Sequence, residues 1–450
     1  MKTLKVKTHR LIKNNGKNYI FISDTASLFE IDDYVKNMIN ESDALFAYDS
    51  DSEKDQEIMQ ILDKAGFFSD SFKEPDWKSK INKSQPSALV LMLSQDCNLR
   101  CNYCYAGDGK YCNKGLMKES TAKMAIDYAF DNFTADKISI ILFGGEPLLN
   151  KNLFKFCVEY SKKKAEKLGK EVGFSTTTNA TLLNTEIAKF IIENKFSVTI
   201  SIDGDAKTHN RNRFYANKKG TYDDVVYNVK NYLGFKNVAA RATLTKYNPK
   251  IKDVYEHLYG LGFRSIHISP SIEFMDKDAY DKLIISYLEL IDTFEKKLKS
   301  KDYDYCLRMS NIMAFLNRLS RGGLRRKFCG ACNNMLTVDI DGSFHGCHRF
   351  VAVPELSYGN IMNHNVIEDD RKNGMLEALI QTHDTVCREC WISGICGGGC
   401  PAENMSSNKD LKRPYVLTCN YLKSIMPRII ELYIGLSSED KRIFFYYEKQ

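Results

Sequence analysis

The chain has 450 residues, 43% hydrophobic and 27% charged, enough to bury substantial cores and too many for one ordinary domain. Its formal net charge of +7, from 64 Lys and Arg against 57 Asp and Glu, is spread along the whole chain and does not mark a nucleic-acid binder. No apolar run of about 18 residues occurs, and the basic N-terminus lacks an apolar h-region; neither a membrane span nor a secretory signal is expected, and a cytoplasmic location is.

In chain order, residues 1–75 read as a small domain. Extended stretches at Val6–Leu11, Tyr19–Ser23 and Ala26–Ile31 precede helical patterns at Asp33–Asn40 and Glu53–Ala65. Residues 41–57 carry seven acids and one lysine, and read as a solvated link and an exposed helix face.

From residue 87 to 305, strand-like and helix-like segments alternate strictly. The strands are Ala88–Ser94, Ile138–Phe143, Val172–Thr178, Val198–Ile202, Val238–Thr245 and Ser265–Ser269. Helical spacing links them, as in Ala122, Ala125, Ala129 and Phe133, or Ile284, Tyr287, Leu288, Ile291 and Leu298. Six βα units predict an α/β fold with a parallel sheet curled into a partial (β/α)6 TIM-like barrel, whose site lies where the loops leave the C-terminal strand ends. Residues 306–450 read as a third domain, in which 329–419 are loop-rich with much of the backbone fixed by bound metal, before a closing helix at Asn420–Tyr433 that contains Pro427.

Cysteine use decides the chemistry. None of the 14 falls before Cys97; three are Cys97, Cys101 and Cys104, directly after the first strand, and eight lie between Cys329 and Cys419. In a reducing compartment such clusters point to metal ligation or redox chemistry rather than disulfides. Three closely spaced thiolates can wrap a four-iron cluster and leave one iron without a protein donor. A three-cysteine zinc knuckle is the alternative. The second group is Cys329, Cys332, Cys347, Cys387, Cys390, Cys396, Cys400 and Cys419. Eight thiolates suffice for two four-iron clusters, or for two zinc sites. Of the remaining three, Cys157 falls on an apolar helix face, Cys112 reads as surface or substrate-facing, and Cys306 is unassigned.

The run Cys97-Asn98-Leu99-Arg100-Cys101-Asn102-Tyr103-Cys104 resembles the signature of the radical S-adenosylmethionine (SAM) enzymes. The resemblance implies a [4Fe–4S] cluster and SAM, with reductive cleavage of SAM to a 5′-deoxyadenosyl radical that abstracts a hydrogen atom from the substrate. It places Tyr103 and the Gly144-Gly145-Glu146-Pro147 segment at SAM, the glycines by close backbone approach and Glu146 by accepting hydrogen bonds from the ammonium group. It adds Asn179 at the third strand end, then Ser201 and Asp203 of the SxDG-like turn and Arg213 beyond it, near the ribose and carboxylate. Arg241, a charge inside an apolar strand, reads as a second carboxylate contact or an ion-paired core residue; His209 reads as part of the turn.

The C-terminal cysteines resemble the SPASM extension of that family, including Gly342 five residues before Cys347. By that resemblance Cys329, Cys332, Cys347 and Cys400 hold one auxiliary cluster, and Cys387, Cys390, Cys396 and Cys419 a second, making three [4Fe–4S] clusters in all. The N-terminal pattern, with Tyr19–Ser23 and Leu28–Asp32, looks like a PqqD-type, winged-helix-like peptide-recognition domain, which would bind a leader peptide as an added strand. Cys329-Gly330-Ala331-Cys332 and Cys347-His348-Arg349-Phe350 are similar to segments of thioether-forming maturases. The implied function is a leader-dependent peptide maturase that joins a cysteine sulfur to carbon. The implied partners are a precursor peptide and an electron donor such as flavodoxin or ferredoxin, with no nucleic acid or membrane. Alternatives are an anaerobic sulfatase-maturating enzyme, whose family has an aspartate where His348 stands, and a carbon–carbon crosslinking maturase. No proton acceptor is evident; His345, His348 and Glu403 lie beside expected ligands and read as supporting groups.

Overall fold

The computed structural model describes residues 2–40, 45–68, 86–107, 114–323, 325–363, 366–380 and 385–445. The chain forms two compact units, one of Met1–Lys80, Ile312–Cys329 and Ala378–Gln450, the other of Ile81–Asn311 and Gly330–Glu377.

The second unit is built on six parallel strands, Ala88–Ser94, Lys137–Gly144, Glu171–Thr178, Ser197–Ser201, Ala239–Leu244 and Ser265–Pro270, each paired with the next. Period-two alternation explains their two faces. In the second strand Ile138, Ile140 and Leu142 are fully buried, whereas Ser139, Ile141 and Phe143 on the other face are half-buried. Small residues allow close packing of the intervening helices: Ala122, Ala125 and Ala129 of Glu119–Asn132 are all fully buried. Helix boundaries follow local chemistry. Asn184 caps Thr185–Glu193 by accepting the Ile187 N–H at 3.0 Å, and Gly169, at φ +64°, ends Lys151–Leu168. Cys157 lies in the core as its helical position suggests, and Cys306 is also buried.

Beyond residue 305 the chain is more regular than expected. Met335–Val338 pairs in parallel with Ala88–Ser94, and Ser343–His345, Ser357–Asn360 and Val366–Ile367 extend the same sheet antiparallel to ten strands. Buried Leu336, Val338 and Phe344 anchor this part by apolar packing, which the surrounding cysteines and glycines conceal in the sequence.

In the first unit, His9–Asn14, Lys17–Ile22 and Ser27–Ile31 form an antiparallel sheet. A second small sheet joins Lys2–Lys5, Leu45–Tyr48 and Ile39–Asn40. The stretch expected as strand Val6–Leu11 divides: Val6 makes only a bridge to Phe68, and the strand begins at His9. Helix Asp33–Asn37 ends early because Ile39 and Asn40 pair with Phe46 and Leu45. Ile20, Ile22, Phe46, Phe67 and Phe68 make the core. Within the acidic stretch, Asp55 is buried rather than solvated, accepting from the Tyr34 hydroxyl at 2.6 Å and the Asp49 N–H at 2.8 Å. The closing helix spans Val416–Ile434 and accommodates Pro427. Among the described residues no helix is long and apolar enough to cross a membrane.

Candidate active site

The sheet curls around one cavity of about 650 Å³ at the C-terminal strand ends. Alternation supplies its wall: Thr177, then Thr199 and Ser201, then Arg241 and Thr243, then His267 and Ser269. Ser201, Arg241 and His267 are direct register neighbours on three adjacent parallel strands, so their side chains leave the sheet on one face in one row.

Cys97, Cys101 and Cys104 line this cavity from the loop after the first strand, beside Tyr103, Gly144, Gly145, Asn179 and Arg213. The glycines are required by contact. A Cβ at Gly144 would stand 2.2 Å from the Ser94 carbonyl oxygen, and one at Gly145 2.4 Å from that of Asp96. Donors reach the sulfurs: the Leu99 N–H and Asn179 Nδ2 lie 3.4 and 3.8 Å from Cys97 Sγ, and Arg213 Nη1 lies 3.9 Å from Cys101 Sγ. Burial pushes the Cys97 thiol up to about 12 and the Cys101 thiol up to about 11, so metal loading would release protons here. Three converging thiols with donors aimed at two of them fit a four-iron cluster held by three cysteines.

Asp203 does not line the cavity but organises residues that do. It is fully buried; its Oδ2 accepts from Tyr103 Oη at 2.6 Å and from Arg213 Nε at 3.0 Å, and its Oδ1 from the Thr243 N–H at 3.0 Å. Burial opposes the Arg213 charge, but the neighbouring Asp203 outweighs it and holds the guanidinium protonated. His209 completes the turn. Its Nδ1 accepts the Asp203 N–H at 3.2 Å, which leaves the proton on Nε2, 2.9 Å from Thr221 Oγ1.

Burial lowers the His209 pKa from 6.5 to about 4. The unfolded chain therefore takes up this proton first as pH falls. The stability contribution is full above about pH 6.5 and is lost progressively toward about pH 4. Thermal midpoints measured across that window should show a shallower acid slope in His209→Gln than in the parent, by about one proton.

Glu146 lies behind the cavity lining. Its carboxylate is fully buried and already engaged, Oε1 by the Leu148 N–H at 3.1 Å and Thr178 Oγ1 at 2.8 Å, Oε2 by the Asn179 N–H at 2.8 Å. It ties the second strand's exit to the third, and Pro147 is the buried first residue of the short helix beyond it. Burial raises the Glu146 pKa to about 7 against those hydrogen bonds. Of the segment, Gly144 and Gly145 face the cavity.

The opposite wall was largely illegible in sequence. His348 packs its ring 4.4 Å from that of Phe143, and burial with Arg349 and Arg241 nearby lowers its pKa to about 4. His267 is held near 3 by burial and Arg241. Arg349 stands 3.9 Å from Glu273, the one acid among the residues described as lining the cavity. Glu273 and Tyr103 are shared with an adjoining cavity of about 460 Å³, which also meets Thr245, Tyr247 and Phe274.

The remaining cysteines lie within both units. In the second unit Cys332, at φ +58°, donates its N–H to the Gly346 carbonyl at 3.0 Å, and both it and Cys347 act on the buried Tyr358 hydroxyl. The first unit holds Cys329, Cys387, Cys390, Cys396, Cys400 and Cys419, with Gly398 and Gly399 N–H groups directed at Cys396. Cys112 lies outside the described residues.

The description "Radical SAM superfamily" matches residues 91–258. The cysteine-type anaerobic sulfatase-maturating enzyme of Clostridium novyi is 28% identical over 336 residues, covering 70% of this chain and 87% of its own. Uncharacterized protein MJ0907 of Methanocaldococcus jannaschii is 32% identical over 249 residues, 51% of this chain and 81% of its own. The structure of native anSMEcpe with bound AdoMet shares the fold at a TM-score of 0.65 and 21% identity, over 78% of this chain and 100% of its own. With its cysteine run at the C-terminal end of the first parallel strand, the chain belongs to the Radical SAM superfamily.

Proposed function

We propose that this protein binds SAM and a [4Fe–4S] cluster in the 650 Å³ cavity and modifies a peptide residue presented there. The observation that carries this reading is the convergence of Cys97, Cys101 and Cys104 with Gly144, Gly145, Asn179, Ser201 and Arg213 on one cavity. Loaded there, the cluster and SAM supply one-electron cleavage of a carbon–sulfur bond and hydrogen-atom abstraction. The three cysteines hold the cluster. Gly144 and Gly145 admit the SAM methionine moiety to the backbone, and Arg213, fixed by Asp203, offers its charge to the SAM carboxylate. Phe143 and His348 close the wall against water. By the SPASM resemblance the eight C-terminal cysteines would hold two auxiliary clusters able to supply electron transfer, with a flavodoxin or ferredoxin as external donor.

A peptide is the substrate class that the name of the Clostridium novyi relative and the second cavity support. The N-terminal sheet ends in His9–Asn14 and Ser27–Ile31, each paired on one side among the described residues, which suits it to accept a leader strand as a PqqD-like domain does. This favours thioether formation on a leader-bearing precursor. Formylglycine formation has support at least equal, from the relative's name. His348, rather than an acid, stands directly after Cys347, and the cavity's acid is Glu273.

Anaerobically reconstituted protein given SAM and a strong reductant should release 5′-deoxyadenosine and methionine; no release would refute the reading. Mass spectrometry of a cysteine-containing precursor then separates the reactions: thioether formation removes two hydrogens and keeps sulfur, whereas formylglycine formation also removes two hydrogens but exchanges the sulfur for an oxygen. Glu273→Gln should retain peptide-independent SAM cleavage while peptide product falls about a hundredfold, as for loss of a proton-accepting group; comparing the two yields checks this.

A further inference from the structure

We propose that the turn Ser23–Ala26 of the N-terminal sheet clamps the segment Cys387–Cys396, making Ser23 a positioning residue for the metal centre those cysteines hold. The proposal rests on the reading that Cys387, Cys390, Cys396 and Cys419 ligate an auxiliary cluster. All the residues involved belong to the first unit.

The turn connects strands Lys17–Ile22 and Ser27–Ile31, and nothing in a two-strand connection requires it to be buried. Yet Ser23 is 0% and Ala26 1% exposed, and Ala26 adopts φ +48°, a conformation costly for any residue with a Cβ. The cysteine segment accounts for both. Ser23 Oγ lies 3.1 Å from the Cys390 carbonyl and 2.9 Å from Ser393 Oγ; since it donates to the carbonyl, the Ser393 hydroxyl donates to it. A Cβ on Gly394 would stand 1.9 Å from the Ser23 carbonyl oxygen, so the two backbones touch where only glycine fits. On the turn's other side, the Gly323 N–H donates to Thr25 O at 2.7 Å, and Arg325 N–H to Gly394 O at 3.0 Å. Trp391, immediately after Cys390, sets its ring edge-on to Phe21 at 6.3 Å, with the Arg10 guanidinium 4.8 Å from its centroid.

The physical need lies in the elements themselves. The first three cysteines leave a central sheet strand, whereas Cys387–Cys396 sits on helices of four residues, Thr385–Arg388 and Ser393–Cys396, too short to hold their shape alone. Ligands of a metal centre must be held by packing and by outer hydrogen bonds, and the N-terminal turn supplies them here. The sheet therefore serves the centre whatever else binds its edge.

The test uses the full chain, reconstituted anaerobically with iron and sulfide, and monitors iron release to a ferrous chelator. The parent should take up about twelve irons per chain. Ser23→Ala should release about four of them roughly tenfold faster, as expected for losing a hydroxyl that satisfies buried partners, with the rest at the parent rate. Ser393→Ala should give a smaller effect, and the double variant no more than Ser23→Ala alone, because the two hydroxyls form one bond. Gly394→Ala, in which the backbones must part, should reproduce the fast phase if Ser23→Ala fails to fold. Parent-like release from these variants, or uniform acceleration of all the iron, would overturn the clamp. Uptake of only about four irons by the parent would instead overturn the auxiliary-cluster reading, and the clamp with it.

Discussion

Replacing Cys97 with alanine should leave the reconstituted protein about four irons short and reduce 5′-deoxyadenosine release to background. Cys97 faces the cavity with Cys101 and Cys104 and receives the Leu99 N–H and Asn179 Nδ2. Two remaining thiols cannot secure a cluster whose ligation already lacks a fourth protein donor. Cys157→Ala is the matched control: it removes a buried thiol that does not line the cavity, so SAM cleavage should persist while stability falls modestly. Iron analysis and product chromatography on both variants check the pair. Equal loss in both would mean that the cleavage defect reflects general damage.

Asp203→Asn should be the most destabilising change at the site, by about 3–5 kcal/mol, because it leaves Arg213 buried without its counter-charge. The amide also turns a donor either toward Tyr103 and Arg213 or toward the Thr243 N–H, all of which need an acceptor. A thermal midpoint lower by roughly 5–8 °C is expected, together with a raised KM for SAM as Arg213 and Tyr103 lose their orientation. The double variant Asp203→Asn with Arg213→Met should recover part of the stability, since removing both charges costs less than stranding one. Unchanged melting in Asp203→Asn would show that the pair does not organise the site.

The six parallel strands were legible because each is long enough to show period two and is separated by a helical period of 3.6; Ala88–Ser94 is matched at both ends and the others within two residues. The strands between Met335 and Ile367 are only two to four residues long, too short for periodicity, and their placement comes from pairing with the distant strand Ala88–Ser94. At the site, spacing singled out Cys97, Cys101 and Cys104, and the family resemblance added Gly144 and Gly145; all five line the cavity. Neither could tell that Glu146 would spend its carboxylate on Leu148, Thr178 and Asn179, because a motif fixes position along the chain and not direction in space. Arg241 stood out already as a charge inside an apolar strand, whereas His267 carried an overlooked signal: it is in register with Arg241 and Ser201 and so faces the cavity. Glu273 and Arg349 come from separate loops and meet only in the folded chain.

The proposed reaction requires SAM to reach an iron that the three cysteines would leave without a protein ligand. Electron paramagnetic resonance of the reduced, reconstituted protein, recorded before and after SAM is added, tests this directly. One cluster signal should shift its g-values with SAM, and that signal should be missing from Cys97→Ala. Spectra that stay the same at saturating SAM would contradict the assignment of this cavity.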